Sequence, residues 1–401
     1  MANSPGRTSR ILACVLVALG AFLLTCAALL PTYTKSHALK TPLDLEVTIV
    51  ANGKGSVLDV ASLASGTAHV DKDVPLTVQR FVTVEDPSNA DIMTVQSGQT
   101  LRRGDKSGDA AVVNALVDRV TVDRKTSMPT NDPVGTIQTQ PGRPGIPVER
   151  HGLQYKWPFD VEKKTYPYFD VTARTTNPID FVDQTEINGM KVYKFHQVVP
   201  VTDLSKTAPG SDNLVSLPAK NWGLPGDAPV TMHRYYTDDR TMWVDPVTGT
   251  IIKSTDHMTQ YFGRNPEERA LTVLDMNVSF NEATIEYQIN QAKDGQDKIS
   301  LYTRILPLVA LIVGLIALIG GVILGLRSVK QRGVSMKKQA PAGSGDPAFD
   351  NAETQVIDYG KGGPTGQDWG EANTEVFPAA DQHEHGSHEK GTDDEGPANR
   401  D

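Results

Sequence analysis

Two uncharged apolar runs, one near each end of the chain, are the feature that most constrains the fold. The first run covers residues 11–30 and the second covers residues 305–326. At 1.5 Å per residue, about 20 helical residues cross a hydrocarbon core about 30 Å thick. The sequence therefore predicts two transmembrane helices, over residues 11–31 and 305–326, separated by a segment of domain size.

Basic residues flank the outer end of each apolar run. Arg7 and Arg10 precede the first run, and Arg327, Lys330 and Arg332 follow the second. Excess Lys and Arg marks the cytoplasmic side of a membrane helix. We expect a two-pass plasma-membrane protein with both termini cytoplasmic (residues 1–10 and 327–401) and an extracytoplasmic domain over residues 32–304.

The first run has a second interpretation, a cleaved signal peptide. The run is long for the apolar part of a signal peptide, and Thr25, Cys26 and Ala27 form a poor cleavage site because Thr25 is not small enough. The sequence favours a retained anchor. Cys14 and Cys26 are the only cysteines of the chain, so the domain between the runs folds without disulfides.

The C-terminal tail differs in composition from the rest of the chain. Residues 339–401 contain 14 acidic and 3 basic residues, which leaves about +2 of the total charge of −9 for everything else. With few aliphatic residues the tail is predicted to be disordered. The near-neutral remainder shows no basic excess that would attract nucleic acid.

Thr354 and Thr374 share the pattern Ala-x-Thr-x-Val-apolar within this acidic tail. The pattern resembles substrate sites of Ser/Thr kinases, and a phosphothreonine there would suit a forkhead-associated domain protein as partner. Coincidence in a segment of biased composition is the alternative.

The central segment has the alternation of β-strands. Residues 43–50, 77–84 and 117–122 are rich in apolar and β-branched side chains at every second position. Asn52-Gly53 is expected to form a turn, and residues 240–253 predict a hairpin with Asp245-Pro246 in its turn. We expect a mainly β, antiparallel sandwich or barrel-like domain, α+β at most, with a helix over residues 281–301 leading into the second apolar run.

The central segment carries no recognisable catalytic, cofactor-binding or metal-binding motif. Asp238, Asp239 and Asp245 could form a carboxylate cluster, but their place beside a hairpin makes turn formation the simpler explanation. We therefore expect no catalytic residues, no cofactor, no metal and no enzyme activity.

One short region is unusually aromatic, and it is either a packing cluster or a platform for a ligand. Its aromatic residues are Tyr155, Trp157, Phe159, Tyr166, Tyr168 and Phe169.

This region and the predicted hairpin carry a resemblance to a known family. Residues 155–160, 163–170 and 240–249 resemble the signatures of the porin PorA family of actinobacterial cell-envelope proteins, formerly a domain of unknown function. The resemblance runs from the first apolar run through the second and leaves the tail outside. It implies a two-anchor envelope protein and supplies no catalytic residues.

The topology and the resemblance predict a non-enzymatic membrane protein whose outer domain binds or passes on an envelope lipid, glycolipid or protein partner. The first alternative is a scaffold or sensor whose tail recruits cytoplasmic partners. A pore-forming assembly comes third, because the strands carry polar residues where a membrane barrel needs a continuous apolar band. Two helices per chain also leave no wall for a pore unless several copies assemble.

Overall fold

The structure, a computed structural model, describes residues 5–34, 39–64, 66 and 68–335. The predicted disordered tail, including Thr354 and Thr374, lies outside the described residues. Within them, one antiparallel sheet is flanked by an N-terminal and a C-terminal helix, which confirms the mainly β prediction.

Thirteen strands build the sheet. They are β1 (Glu46–Asp59), β2 (His69–Glu85), β3 (Ile92–Arg103), β4 (Val112–Asp123), β5 (Thr136–Gln138), β6 (Ile146–Pro147), β7 (Tyr166–Asp170), β8 (Thr175–Ile187), β9 (Met190–Asp203), β10 (Leu214–Pro218), β11 (Pro229–Val244), β12 (Ile251–Gly263) and β13 (Leu271–Phe280). Their order across the sheet is β6-β5-β4-β3-β2-β1-β13-β12-β11-β9-β8-β7, and β10 pairs with β11. The first and last strands of the chain are therefore neighbours in the middle of the sheet.

Asn52-Gly53, expected to form a turn, instead continues β1. Gly53 lies opposite Val278 of β13, and a Cβ atom on Gly53 would come within 1.9 Å of the carbonyl oxygen of Asn277. The turn prediction was wrong because this glycine permits a close approach of two strands rather than a reversal of the chain.

The sheet curls, and the segment 148–161 joins its two ends. The amide of Val148 donates to the carbonyl oxygen of Gly135, next to β5, at 2.8 Å. Farther along, the amide of Leu153 donates to the carbonyl oxygen of Pro167 in β7 at 2.9 Å. The described strands thus form one antiparallel sheet whose two ends are linked by residues 148–161.

The helix expected over residues 281–301 is present as α4 (Glu282–Ser300). Two shorter helices, α2 (Val60–Ala64) and α3 (Leu204–Thr207), precede it in the chain. The side chain of Asn281 caps α4 by accepting from the amide of Thr284. Ile285, Ile289 and Ala292 are buried against the sheet, so one apolar face of α4 closes one side of the domain.

The two apolar runs form the helices α1 (Pro5–Tyr33) and α5 (Leu306–Ser335). A π-helical turn, Leu301–Ile305, connects α4 to α5. Both long helices are apolar enough, by length and composition, to cross a membrane. Within residues 11–30 and 305–326, most of the exposed side chains are aliphatic.

Glycines bring α1 and α5 into close contact with each other. A Cβ atom on Gly321 would lie 2.8 Å from a methyl of Val17 and 3.0 Å from the carbonyl oxygen of Ala13. A Cβ atom on Gly20 would lie 2.8 Å from the carbonyl oxygen of Gly314. Small residues allow the two backbones to approach closely. The resulting van der Waals packing is what holds apolar helices together in lipid, where the hydrophobic effect does not drive their association.

We expect Gly321→Leu to separate the helix pair, whereas Gly320→Leu should leave it intact. No atom lies within 4 Å of a Cβ atom on Gly320, which makes it a matched control one residue away. The Cβ atom of Ala13 lies 3.9 Å from the Cβ position of Gly325, a separation that suits a disulfide. The measurement is oxidative cross-linking of the Ala13→Cys, Gly325→Cys double variant, with Cys14 and Cys26 replaced by serine. Equal cross-linking with either leucine would contradict the packing.

Candidate functional site

A cavity of about 520 Å³ lies inside the curled sheet. Its walls come from the middle strands of the sheet, from residues 154–159 and from α4. Aliphatic side chains such as Ile49, Val78 and Met276 make up most of this wall. The lining includes Thr34, which directly follows α1, and Tyr302 in the π-helical turn, so the cavity reaches the place where the helices join the domain.

The segment 155–161 packs on the turn of the β11–β12 hairpin. The amide of Trp157 donates to the carbonyl oxygen of Gly249 at 3.0 Å, and the amide of Val161 donates to that of Pro246 at 2.7 Å. Asp245 holds the turn itself by accepting from the amide and hydroxyl of Thr248 at 2.9 and 2.6 Å. Two distant stretches of sequence, residues 155–160 and 240–249, therefore meet at the cavity wall.

Lys156 fastens this contact from inside the cavity. Its ammonium donates to the carbonyl oxygens of Trp157 and Thr248 at 3.0 and 2.8 Å and lies 4.0 Å from the ring centroid of Phe159. Protein surrounds the side chain, yet part of its surface stays accessible because that part faces the cavity. Burial lowers the pKa of Lys156 to about 7.

A buried ion pair ties β4 to the same segment. The guanidinium of Arg150 donates to Asp118 at 2.5 and 3.2 Å, and the two side chains are 1% and 0% exposed. Gln154 and the hydroxyl of Tyr155 also donate to Asp118. Removing one member of such a pair leaves an uncompensated buried charge, which typically lowers the free energy of unfolding by about 3–5 kcal/mol.

A second charged cluster lies on the β11–β12 side of the cavity. Arg240 donates to Asp238 at 2.6 Å, to Asp256 at 2.6 Å and to Asp170 at 3.1 Å. One guanidinium cannot neutralise three carboxylates. Burial raises the pKa of Asp238 to about 8 against the lowering effect of Arg240, and the neighbouring carboxylates Asp256 and Asp170 add to the rise.

Arg80 differs from Arg240 in its partners. It projects from β2 into the cavity, where its Nε and Nη2 donate to the amide oxygen of Gln99 at 3.1 and 2.8 Å. Its guanidinium carbon lies 5.7 Å from the ring centroid of Tyr155. Among the residues that the structure describes, no carboxylate lies within ion-pair distance of Arg80.

The structure divides the six aromatic residues between the core and the cavity. Trp157 and Tyr166 belong to the core, with ring centroids 4.9 Å apart, and Trp157 is fully buried. The other four line the cavity, although Tyr168 also packs in that core: Tyr155, Phe159, Tyr168 and Phe169. Burial raises the pKa of Tyr168 to about 12, so its hydroxyl stays protonated and donates to the carbonyl oxygen of Gln154. Whether the cluster takes a ligand stays a prediction.

The candidate carboxylates of the hairpin do not converge. Asp238 contacts Arg240, Asp245 holds the turn, and Asp239 lies on the outer surface 2.9 Å from His196. In the described part of the chain no histidine lines the cavity, and no group of three metal-ligating side chains is present.

Sequence reasoning missed Arg80, Arg150 and Arg240. The signal for Arg80 was available: it occupies an inward position of an alternating strand, between Val78 and Val82. A charged residue at such a position is buried at a cost unless it has a partner or a cavity to face.

The protein belongs to a structural class with three features. An antiparallel β-domain surrounds a cavity with charged residues in its lining, and two apolar helices are joined to that domain. Comparison with known proteins gives the family. The family model described as Porin PorA matches residues 12–323. The chain belongs to the porin PorA family, whose members are cell-envelope membrane proteins.

Two relatives illustrate the match. "Porin PorA" of Corynebacterium amycolatum is 29% identical over 377 residues, covering 78% of this chain and 97% of the relative. "Porin PorA" of Corynebacterium resistens is 31% identical over 402 residues, covering 79% and 97%.

These comparisons overturn the function predicted from the sequence. The family and both relatives are described as porins, so the prediction of a protein that binds or passes on an envelope lipid, glycolipid or protein partner was wrong. The scaffold or sensor alternative has no support from them either. The error was physical: polar strands exclude a membrane barrel made of those strands, but they do not exclude a pore formed in another way.

We expect Gly249→Ala to destabilise the domain by about 3 kcal/mol or more. Gly249 has φ +74°, and a Cβ atom there would lie 2.3 Å from the carbonyl oxygen of Trp157. The left-handed conformation costs about 1–2 kcal/mol and the displaced backbone about 1–3 more. Gly189→Ala is the control, because Gly189 has φ +78° and open space around it. Urea unfolding in detergent micelles measures both, and equal losses would contradict the contact.

We expect the stability of the wild type to fall, relative to Asp238→Asn, as the pH rises from about 4 to about 8. The raised pKa of Asp238 means that the folded state keeps a proton that the unfolded state has already released. The resulting stabilisation is complete below the unfolded pKa and is lost as the pH passes the folded pKa. Asp239→Asn, next to it on the outer surface, should show no such trend. Thermal unfolding between pH 5 and 9 measures the differences, and a flat difference across this range would show that Asp238 is ionised in both states.

Proposed function

We propose that this protein forms a water-filled pore in the cell envelope and that the cavity inside its curled sheet is part of the solute path. The observation that carries the proposal is the cavity of about 520 Å³, which reaches the junction of the domain with α1 and α5. The printed descriptions of the family and of both relatives support a pore.

The proposed pore needs several copies of the chain. The two described helices pack on each other through Gly20, Gly314 and Gly321, which leaves no space between them. The outward face of the sheet carries charged side chains such as Arg119 and Lys72, so the strands do not supply a lipid-facing band. A channel across the membrane would therefore run between the helix pairs of neighbouring copies.

The proposed topology is a two-pass protein in the plasma membrane with both termini cytoplasmic and residues 32–304 outside. The basic residues beyond each apolar run support this orientation. The close packing of α1 on α5 supports retention of α1 as an anchor, because cleavage would expose the small-residue face of α5. The family description favours a role without catalysis, and the absence of enzyme activity stays a prediction.

Planar-bilayer recording of the purified full-length chain tests the pore. We expect discrete conductance steps, and Val78→Trp should lower the single-channel conductance several-fold because Val78 faces the cavity. Gln79→Trp, on the outer face of the same strand, should leave the conductance unchanged.

The two variants separate two ways in which the proposal can fail. If the full-length protein gives no conductance steps at protein densities that allow assembly, it does not form a pore. If it conducts and Val78→Trp behaves like Gln79→Trp, the cavity is not part of the path.

A further inference from the structure

Arg80 is a positive side chain of the cavity lining whose hydrogen-bond partner among the described residues is neutral. Arg80 has Val78 and Val82 as inward neighbours on β2 and lies opposite Ile49 of β1, all of which line the cavity. Its hydrogen-bond partner, Gln99, is uncharged. A guanidinium in an apolar wall with a neutral partner retains most of its capacity for an anion.

Other charged groups also line the cavity or lie next to it. Lys40 pairs with Asp91 at 2.8 Å, and the ammonium of Lys156 is used by two carbonyl oxygens and an aromatic ring. Asp294 and Lys298 both belong to α4 at the end near the helices.

Arg240 provides the contrast on the facing wall. Its guanidinium contacts three carboxylates, those of Asp170, Asp238 and Asp256. Arg80 and Arg240 both line this cavity, and the guanidinium carbon of Arg240 lies 5.8 Å from the ring centroid of Tyr168. The Arg240 wall would repel an anion, and the Arg80 wall would attract one.

We propose that Arg80 is the anchor of a binding site for a small organic anion, a carboxylate or sulfonate with a compact apolar body. The Arg80 guanidinium, which has no carboxylate partner among the described residues, matches one anionic group, since its planar donors pair with a carboxylate in a charge-assisted geometry. The aliphatic wall around Arg80 matches the apolar body. The inference deepens the proposed pore function by giving the class of solute that the cavity favours.

The test uses the full-length chain in nanodiscs and 4-(trifluoromethyl)benzoate as the probe, followed by ¹⁹F NMR line broadening. The uncharged isostere 4-(trifluoromethyl)benzamide measures the part of binding that does not need the anion, and empty nanodiscs give the background. We expect the wild type to bind the benzoate at least about tenfold more tightly than the benzamide. This difference is the expected effect of one charge-assisted hydrogen bond on the affinity.

Arg80→Gln should remove this preference, and Arg80→Lys should keep part of it. The matched control is Arg119→Gln. Arg119 also donates to a glutamine, Gln96, at 2.8 Å, but it lies exposed on β4. This variant should bind the benzoate within twofold of the wild type. Equal binding of benzoate and benzamide by the wild type would overturn the proposal without any variant, as would full binding by Arg80→Gln.

Bilayer recordings on the same preparation separate this site from the pore. Anion binding that depends on Arg80 in a protein that does not conduct would support the site and refute the pore. Conductance without a preference for the benzoate would refute the site and leave the pore standing.

Discussion

The contact between residues 155–161 and the turn of the β11–β12 hairpin is the interaction on which the rest of the structure depends. It places Trp157 in the core, where its ring centroid lies 4.1 Å from that of Phe195. It also presents Tyr155 and Phe159 to the cavity. Because residues 148–161 join the two ends of the curled sheet, loosening this contact would open the wall of the cavity.

The same turn also links the sheet to α4. Gln296 of α4 donates to Asp245 at 2.7 Å, so one carboxylate contacts both the turn and the helix. From α4 the helical backbone continues through the π-helical turn into α5. A displacement of the apolar helices is therefore mechanically connected to the cavity wall through a short series of hydrogen bonds rather than through a flexible linker.

Much of this fold was predictable because local signals decided it. The prediction of the hairpin was correct because Asp245, Pro246 and Gly249 determine a turn by their own chemistry. The prediction of α4 was correct because Ile285 and Ile289 lie on one helical face. The pairing of β1 with β13 was not predictable. Ala51 pairs with Phe280, and no local signal brings together strands that stand at opposite ends of the domain sequence. Gly53 was misjudged for the same reason: its constraint comes from a distant strand.

The cavity could not be predicted because alternation shows which face of a strand is inward but not whether that inner space is filled. Its polar groups then decide what occupies it. A purely aliphatic cavity of about 150 Å³ stays dry, whereas a polar and roomy one holds water that makes two to four hydrogen bonds. Arg80, Lys156, Arg240 and Asp256 line the cavity and supply such partners. Water in this space would let charged solutes enter without complete desolvation, which is the physical requirement that a solute path shares with an anion site.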